Sequence, residues 1–462
     1  MSKTIEAPSL VEPELTEHRG GTSWLPQIFQ AAGAGGLAIL GQGLFAGAQF
    51  LMNVLLARWL SADQYGAFAL AYSGFLLFLM LYGACVYEPL IVFGSGRHAA
   101  RFQEYFGLLA RSNILVLAGF SALMLVSSYL FGRLFSPEVG RDFVALSFAS
   151  PFVLVMWLGR GGFYARMSPG DAAWGGFIYF CALTAAIVGL RQSDRLSGST
   201  AFLSMGLAGF VANVYLLWRI GFTWKRAAGS LTLKEVWGDH WSYGRWALAS
   251  AVASWFPQNI YYALLPAKSG LEGAAAMRAL TNLINPLLQT LAALAAVLIP
   301  VFVRRLQEGG IPKMKNTMRT LTLLLIPGSV FYLVALWFSR SLVFRLVYAG
   351  KYQQYETWPL LLTGLVPIAV AAAIIVGSAL RALEKPEWIF WAYAAATVSV
   401  IVLGLPLTLR GGVLGATGSL LISSLVAAIT MAWFFHRIDS TENNRVIEVQ
   451  SDYTGGFRNN SK

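Results

Sequence analysis

Between Arg278 and Pro300, four polar side chains recur at i, i+4, i+7 and i+11: Arg278, Asn282, Asn285 and Gln289. On a helix that spacing makes one stripe, set in a segment otherwise apolar enough to span a bilayer. A guanidinium and three amides facing lipid would cost several kcal/mol, so the stripe must face other helices or a water-filled cavity. The planar guanidinium fork suits phosphate, through two charge-assisted hydrogen bonds. Amides suit sugar hydroxyls, because they both donate and accept.

Other polar groups sit at comparable depth. Gln42, Gln49 and Asn53 share a face of the first apolar segment, and Gln258 and Asn259 close the break-prone Trp255–Asn259 stretch of a later one. Glu88 is the carboxylate well inside an apolar segment, which makes it a candidate for proton or ion coupling. The competing reading pairs it with Arg97 or Arg111 near the membrane surface. Arg111 and Arg160, near segment ends, are expected to snorkel to the interface.

The same inventory leaves little for catalysis. There is no GxxxxGK[ST] run for nucleotide phosphates, and the acids of the outer loops are isolated, so no acid/base pair is expected. His18, His98, His240 and His436 lie in tails or inner loops. Cys85 and Cys181 fall inside apolar segments, where a structural disulfide or a metal site is implausible. No cofactor and no enzymatic activity are expected. Gly41, Gly43 and Ala46 mimic a dinucleotide fingerprint, but without a preceding strand Gly43 and Gly47 read as helix packing.

The elements that must position these groups are membrane spans. Apolar residues are 56 % of the chain and charged residues 12 %, against roughly 25 % charged in an average soluble domain. Runs of about 20 apolar residues predict twelve spans, near 35–57, 67–93, 107–131, 142–163, 172–190, 200–222, 244–267, 276–303, 319–338, 358–383, 388–408 and 413–435. The expected class is therefore an all-α polytopic membrane protein, two six-helix lobes around a central cavity. With both termini cytoplasmic, 23 of the 34 Lys and Arg residues fall on the inner side and 11 on the outer, as the positive-inside rule requires. A basic inner face on anionic membrane lipid accounts for the net charge of +12 without nucleic acid.

The expected organisation is a disordered cytoplasmic tail (1–30), an N-terminal lobe (31–222), a cytoplasmic linker (223–243), a C-terminal lobe (244–437) and a second disordered tail (438–462). In the linker, a Thr232–Glu235 capping box precedes Leu233, Val236, Trp237 and Trp241 on one face, which suggests a separate helix lying on the inner membrane surface. The halves echo each other in interrupted segments at matching positions, the pattern of a transporter binding site between repeats.

Several stretches, ARWLSADQYGAFALA (57–71), EPLIVFGS (88–95), MRALTNLINP (277–286), YAGKY (348–352) and LRALEKP (380–386), resemble the polysaccharide-transporter, or O-antigen flippase, family. That family belongs to the superfamily that also holds lipid II flippases and multidrug and toxin extrusion transporters. The resemblance runs over about residues 35–435 and rests on loose hydropathic patterns. It implies alternating access in a bacterial cytoplasmic membrane and export of an undecaprenyl-pyrophosphate-linked oligosaccharide. Polymerase and glycosyltransferases would be possible partners. It also implies that Arg278 holds the pyrophosphate; from their own chemistry Asn282, Asn285, Gln289, Gln49, Asn53, Gln258 and Asn259 are expected to line a cavity for the sugar. Lipid II flippases carry further arginines in spans one and two, where this chain has apolar and amide residues, which argues against lipid II as cargo. The alternatives are a small-molecule or drug antiporter of the same fold, and a non-transporting membrane subunit of a polysaccharide-assembly complex.

Overall fold

The computed structural model describes residues 24–224 and 231–456. About 92 % is helical, and no strand occurs among the described residues. The helices are α1 (Trp24–Trp59), α2 (Ala62–Tyr82), α3 (Glu88–Ser95), α4 (Phe102–Leu134), α5 (Pro137–Ala165), α6 (Pro169–Gln192), α7 (Gly198–Ile220), α8 (Leu233–Asn259), α9 (Tyr261–Tyr348), α10 (Trp358–Ala382), α11 (Pro386–Ser399) and α12 (Leu405–Gly456).

Nine stretches among the described residues are long and apolar enough to cross a membrane, and two of them are too long for one crossing. Glycine divides those two. The backbone leaves the helical region at Gly270, Gly309 and Gly310 in α9 and at Gly412 in α12. Gly270, Gly310 and Gly412 have φ of 64°, 63° and 57°, values that glycine adopts without the steric cost of a Cβ. Divided there, the described residues hold twelve segments of membrane-spanning length, and the chain is a multi-pass membrane protein of two lobes. In the first, α5 packs on α4 and α7, and α1 on α6. In the second, α9 packs on α10 and α12, and α11 on α8. The lobes meet where α1 and α2 lie against α9 and where α2 meets α8.

The α1–α6 seam closes at Gly41, where an added Cβ would lie 2.8 Å from the Ala173 Cα, and at Gly176, 3.0 Å from the Gly41 oxygen. Of the pair singled out by pattern, a Cβ on Gly47 would meet α6 only in ordinary contact, 3.9 Å from the Phe180 ring, and Gly43 does not face it. Gly43 lies about 200° round the helix from Gly41, and nothing comes within 4 Å of its Cβ position.

Proline shapes two spans in the same way. The π-helical segments Gly83–Tyr87 and Val400–Gly404 each end one residue before an X-Pro pair, Glu88-Pro89 and Leu405-Pro406. A proline ring clashes with the carbonyl four residues back and cannot donate to it, and a π-bulge relieves the crowding. At Pro89 that carbonyl belongs to Cys85, and His240 Nδ1 lies 2.9 Å from its oxygen.

His240 belongs to the connector, which differs from expectation. It is not a separate surface helix. α8 runs unbroken from Leu233 into the seventh crossing, beginning with the Thr232–Glu235 capping box. Val236 and His240 are buried while Leu233 and Trp241 are exposed, so only one edge of the expected lipid face is covered, and what covers it is the first lobe. Trp237 Nε1 donates to Ser112 Oγ at 3.0 Å, Leu231 N to Glu104 Oε1 at 2.6 Å, and Asp239 pairs with Arg97 and His98. Residues 1–23 and 457–462 of the expected tails, and 225–230 of the linker, lie outside the described residues. The described chain is helical from Trp24 and as far as Gly456.

Candidate binding cavity

Arg278 is 7 % exposed, about 12 Å down its crossing from the Gly270 break at a rise of 1.5 Å per residue. Its Nε donates to Asn53 Oδ1 on α1 at 2.9 Å, and its guanidinium lies over the Tyr72 ring of α2, 4.4 Å from the centroid. Asn53 Nδ2 donates in turn to the Gln49 carbonyl at 2.8 Å. Gln49 Nε2 donates to Tyr179 Oη at 2.9 Å and its Oε1 accepts from Tyr72 Oη at 3.3 Å. One turn further along α9, Asn282 Nδ2 donates to Tyr65 Oη at 2.8 Å. The two polar stripes found in the sequence therefore meet each other across the lobe boundary.

Below this seam lies a cavity of about 610 Å³ that reaches from Arg278 to Arg381 at the α10–α11 turn. Asn285, Gln289, Gln258 and Asn259 line it between the two arginines, while Leu76, Leu79, Val366, Ile374 and Met431 give it apolar walls. Among the described residues that line it there is no Asp, Glu, His or Lys. Asn53, Asn282 and Gln49 are part of the seam and not of the cavity wall. The cavity is also lopsided: from the first lobe only Leu76, Leu79 and Met80 of α2 reach it, all other lining residues being on α8 to α12.

The α8–α9 break builds one end of this wall. Pro257 cannot donate within the helix, α8 ends at Asn259, and Asn259 Nδ2 and Gln258 Nε2 donate back to the Trp255 and Ser254 carbonyls. Both amides thus keep their carbonyl oxygens for a ligand.

Glu88 is exposed on α3, and the cation that acts on it electrostatically is Arg381 of the other lobe. Arg97 is engaged by Asp239, and Arg111 donates to the Thr223 carbonyl. Arg381 lies in the last turn of α10, and no polar stripe in the sequence marks it as a cavity residue. The small run Gly377-Ser378-Ala379 one turn before it was the available sign of a helix face with open space, and Gly377 and Ser378 do line the cavity. Arg160 does not snorkel. It is 1 % exposed, its Nη2 donating to the Gly41 carbonyl and to Gln42 Oε1, both at 3.2 Å, because the close α1–α6 seam brings α1 carbonyls within its reach.

No family model and no curated protein sequence matches the chain. Solved structures do. An inward-facing multidrug resistance MATE family transporter of the MOP superfamily superposes with a TM-score of 0.74 at 13 % identity, over 87 % of this chain and 96 % of that one. An outward-facing structure of the same description gives 0.65 at 12 % identity, over 89 % and 96 %. The lipid II flippase MurJ in an inward closed conformation gives 0.65 at 13 % identity, over 90 % and 88 %. The chain has the fold of these transporters.

Proposed function

We propose that this protein is a transporter that flips an anionic amphiphile, a lipid-pyrophosphate-linked oligosaccharide, between the leaflets of a bacterial cytoplasmic membrane by alternating access. The observation that carries this reading is the charge of the cavity. Two arginines stand at its ends, amides between them, apolar side chains opposite, and no carboxylate among the described lining residues. A buried guanidinium held by one amide oxygen and aromatic faces remains short of negative charge, and a phosphate supplies it. The amides then meet sugar hydroxyls, and the apolar walls meet the lipid.

The direction of opening has separate support. The cavity ends at Arg381, on the face that the Lys and Arg distribution assigns to the cytoplasm, where the first lobe is met by α8, while at the opposite face the ends of α1 and α9 cap each other.

A drug-type antiporter is the second reading, favoured by the structural likeness to multidrug transporters. A cationic drug would find no carboxylate to pair with in this cavity. The deciding measurement is leaflet exchange of a fluorescent lipid-pyrophosphate oligosaccharide in proteoliposomes. Arg278→Ala is expected to lower exchange by about 10- to 100-fold, the worth of one charge-assisted hydrogen bond, with normal membrane insertion, and Arg278→Lys to keep part. Exchange at the protein-free rate together with uptake of a cationic dye would select the antiporter. Unaltered exchange in Arg278→Ala would remove Arg278 from the site.

A further inference from the structure

On the face away from the α10–α11 turn, the lobes meet through backbone. α1 ends at Trp59, and the Arg58 and Leu60 carbonyls accept from Lys351 Nζ of the other lobe at 2.8 and 2.6 Å. Lys351 follows the end of α9. In return Arg58 Nη1 donates to the Leu346 carbonyl in the last turn of α9. Each helix supplies the cation that satisfies the orphan carbonyls of the other's C-terminus, where a cation is also favoured by the helix dipole.

Beside these caps, Gly66 of α2 faces the first residue after the Gly270 break. A Cβ on Gly66 would stand 1.9 Å from the Leu271 oxygen and 2.5 Å from its carbonyl carbon. Carbonyl carbon and oxygen cannot swing aside as a side-chain tip does. Gly66 is not among the residues of positive φ and lies within a helix, where glycine is less favourable than alanine by about 1 kcal/mol. Its conformational freedom is therefore not what the position uses. What it provides is room for the other lobe's backbone.

We propose that Gly66, with the reciprocal caps of Arg58 and Lys351, is the lock that closes this face, so that the absence of a side chain at residue 66 sets how far the molecule rests in its present state. The inference deepens the alternating-access reading and rests on it. The lock is a contact of main chain and helix caps, and beside it Glu272, the residue after Leu271, accepts from Gln354 Nε2 at 2.9 Å. The lock requires two main chains to touch, so its closing is all-or-none: a single methyl group holds the lobes apart.

The experiment uses the full chain with Cys85 and Cys181 replaced by Ser, and spin labels at the exposed positions Asp63→Cys and Gln353→Cys, one on each lobe. Double electron–electron resonance reads the distance between them in liposomes, without cargo. Gly66→Ala should move most of the distance distribution to longer values. Gly74→Ala, on the same helix, is the control: its Cβ would meet only the Phe143 ring, at 3.2 Å, inside the first lobe, and it should leave the distribution unchanged. If Gly66→Ala fails to fold by size-exclusion chromatography, Lys351→Met decides, since it removes a cap without adding bulk beside Leu271. It should shift the distances the same way. An unchanged distribution in the folded variant tested overturns the lock. A single distance that no variant moves, Arg278→Ala included, would count against alternating access itself. A shift in Arg278→Ala alone would refute only the lock.

Discussion

At the scale of single residues, the polar stripe was legible because lipid penalises each of its members. The seam contact between Arg278 and Asn53, 225 positions apart, was not, since no local rule specifies which of several polar faces will meet. The same holds for Arg381, which becomes a cavity residue only when the α10–α11 turn is placed beside α8. Its neighbour Glu88 is the site for a residue-level prediction. If Glu88 couples transport to protons, Glu88→Gln should abolish the response of leaflet exchange to an imposed proton gradient, leaving the basal rate within about a factor of two. A gradient response equal to that of the parent protein would leave Glu88 only the electrostatic relation to Arg381 that it has here.

At the scale of elements, helices and their breaks derive from hydropathy, capping boxes, proline and glycine. The surroundings of the π-bulge before Pro89 derive from them only in part. Proline dictates that the Cys85 carbonyl loses its helical donor, but that His240 fills the place depends on the connector folding back onto the first lobe. His240 is buried between Tyr105 Oη, 2.7 Å from its Nε2, and Cys85 O. Burial pulls its pKa down from the ordinary 6.5 to about 4. The native protein thus holds His240 neutral while the undocked chain protonates it below pH 6.5. The stabilisation is fully present above that value and is lost as pH falls toward 4, on the order of 3 kcal/mol in all at 1.36 kcal/mol per unit. Thermal unfolding followed through tryptophan fluorescence should show this slope between pH 6.5 and 4. His240→Gln, which keeps a neutral donor, should flatten it relative to the parent. Equal slopes would mean that His240 does not titrate on undocking.

At the scale of the whole molecule, two lobes were readable from the count of apolar runs and the repeat of interrupted segments, while the glycines that divide α9 and α12 show only in the structure. The lopsided cavity was not readable, because hydropathy treats a polar face that meets another helix and one that meets open space alike. Nor was the role of α8. It is continuous with the second lobe, yet its first turns are held on the first lobe by Asp239, His240 and Trp237. A rod clamped in this manner makes the peptide linkage between the halves dispensable. The halves expressed as two polypeptides, 1–228 and 229–462, should therefore reassemble in the membrane and co-purify through a tag on either one. Asp239→Ala together with His240→Ala should reduce that recovery by about tenfold or more. The fold would then be a dimer of dissimilar subunits that happens to be written as one chain.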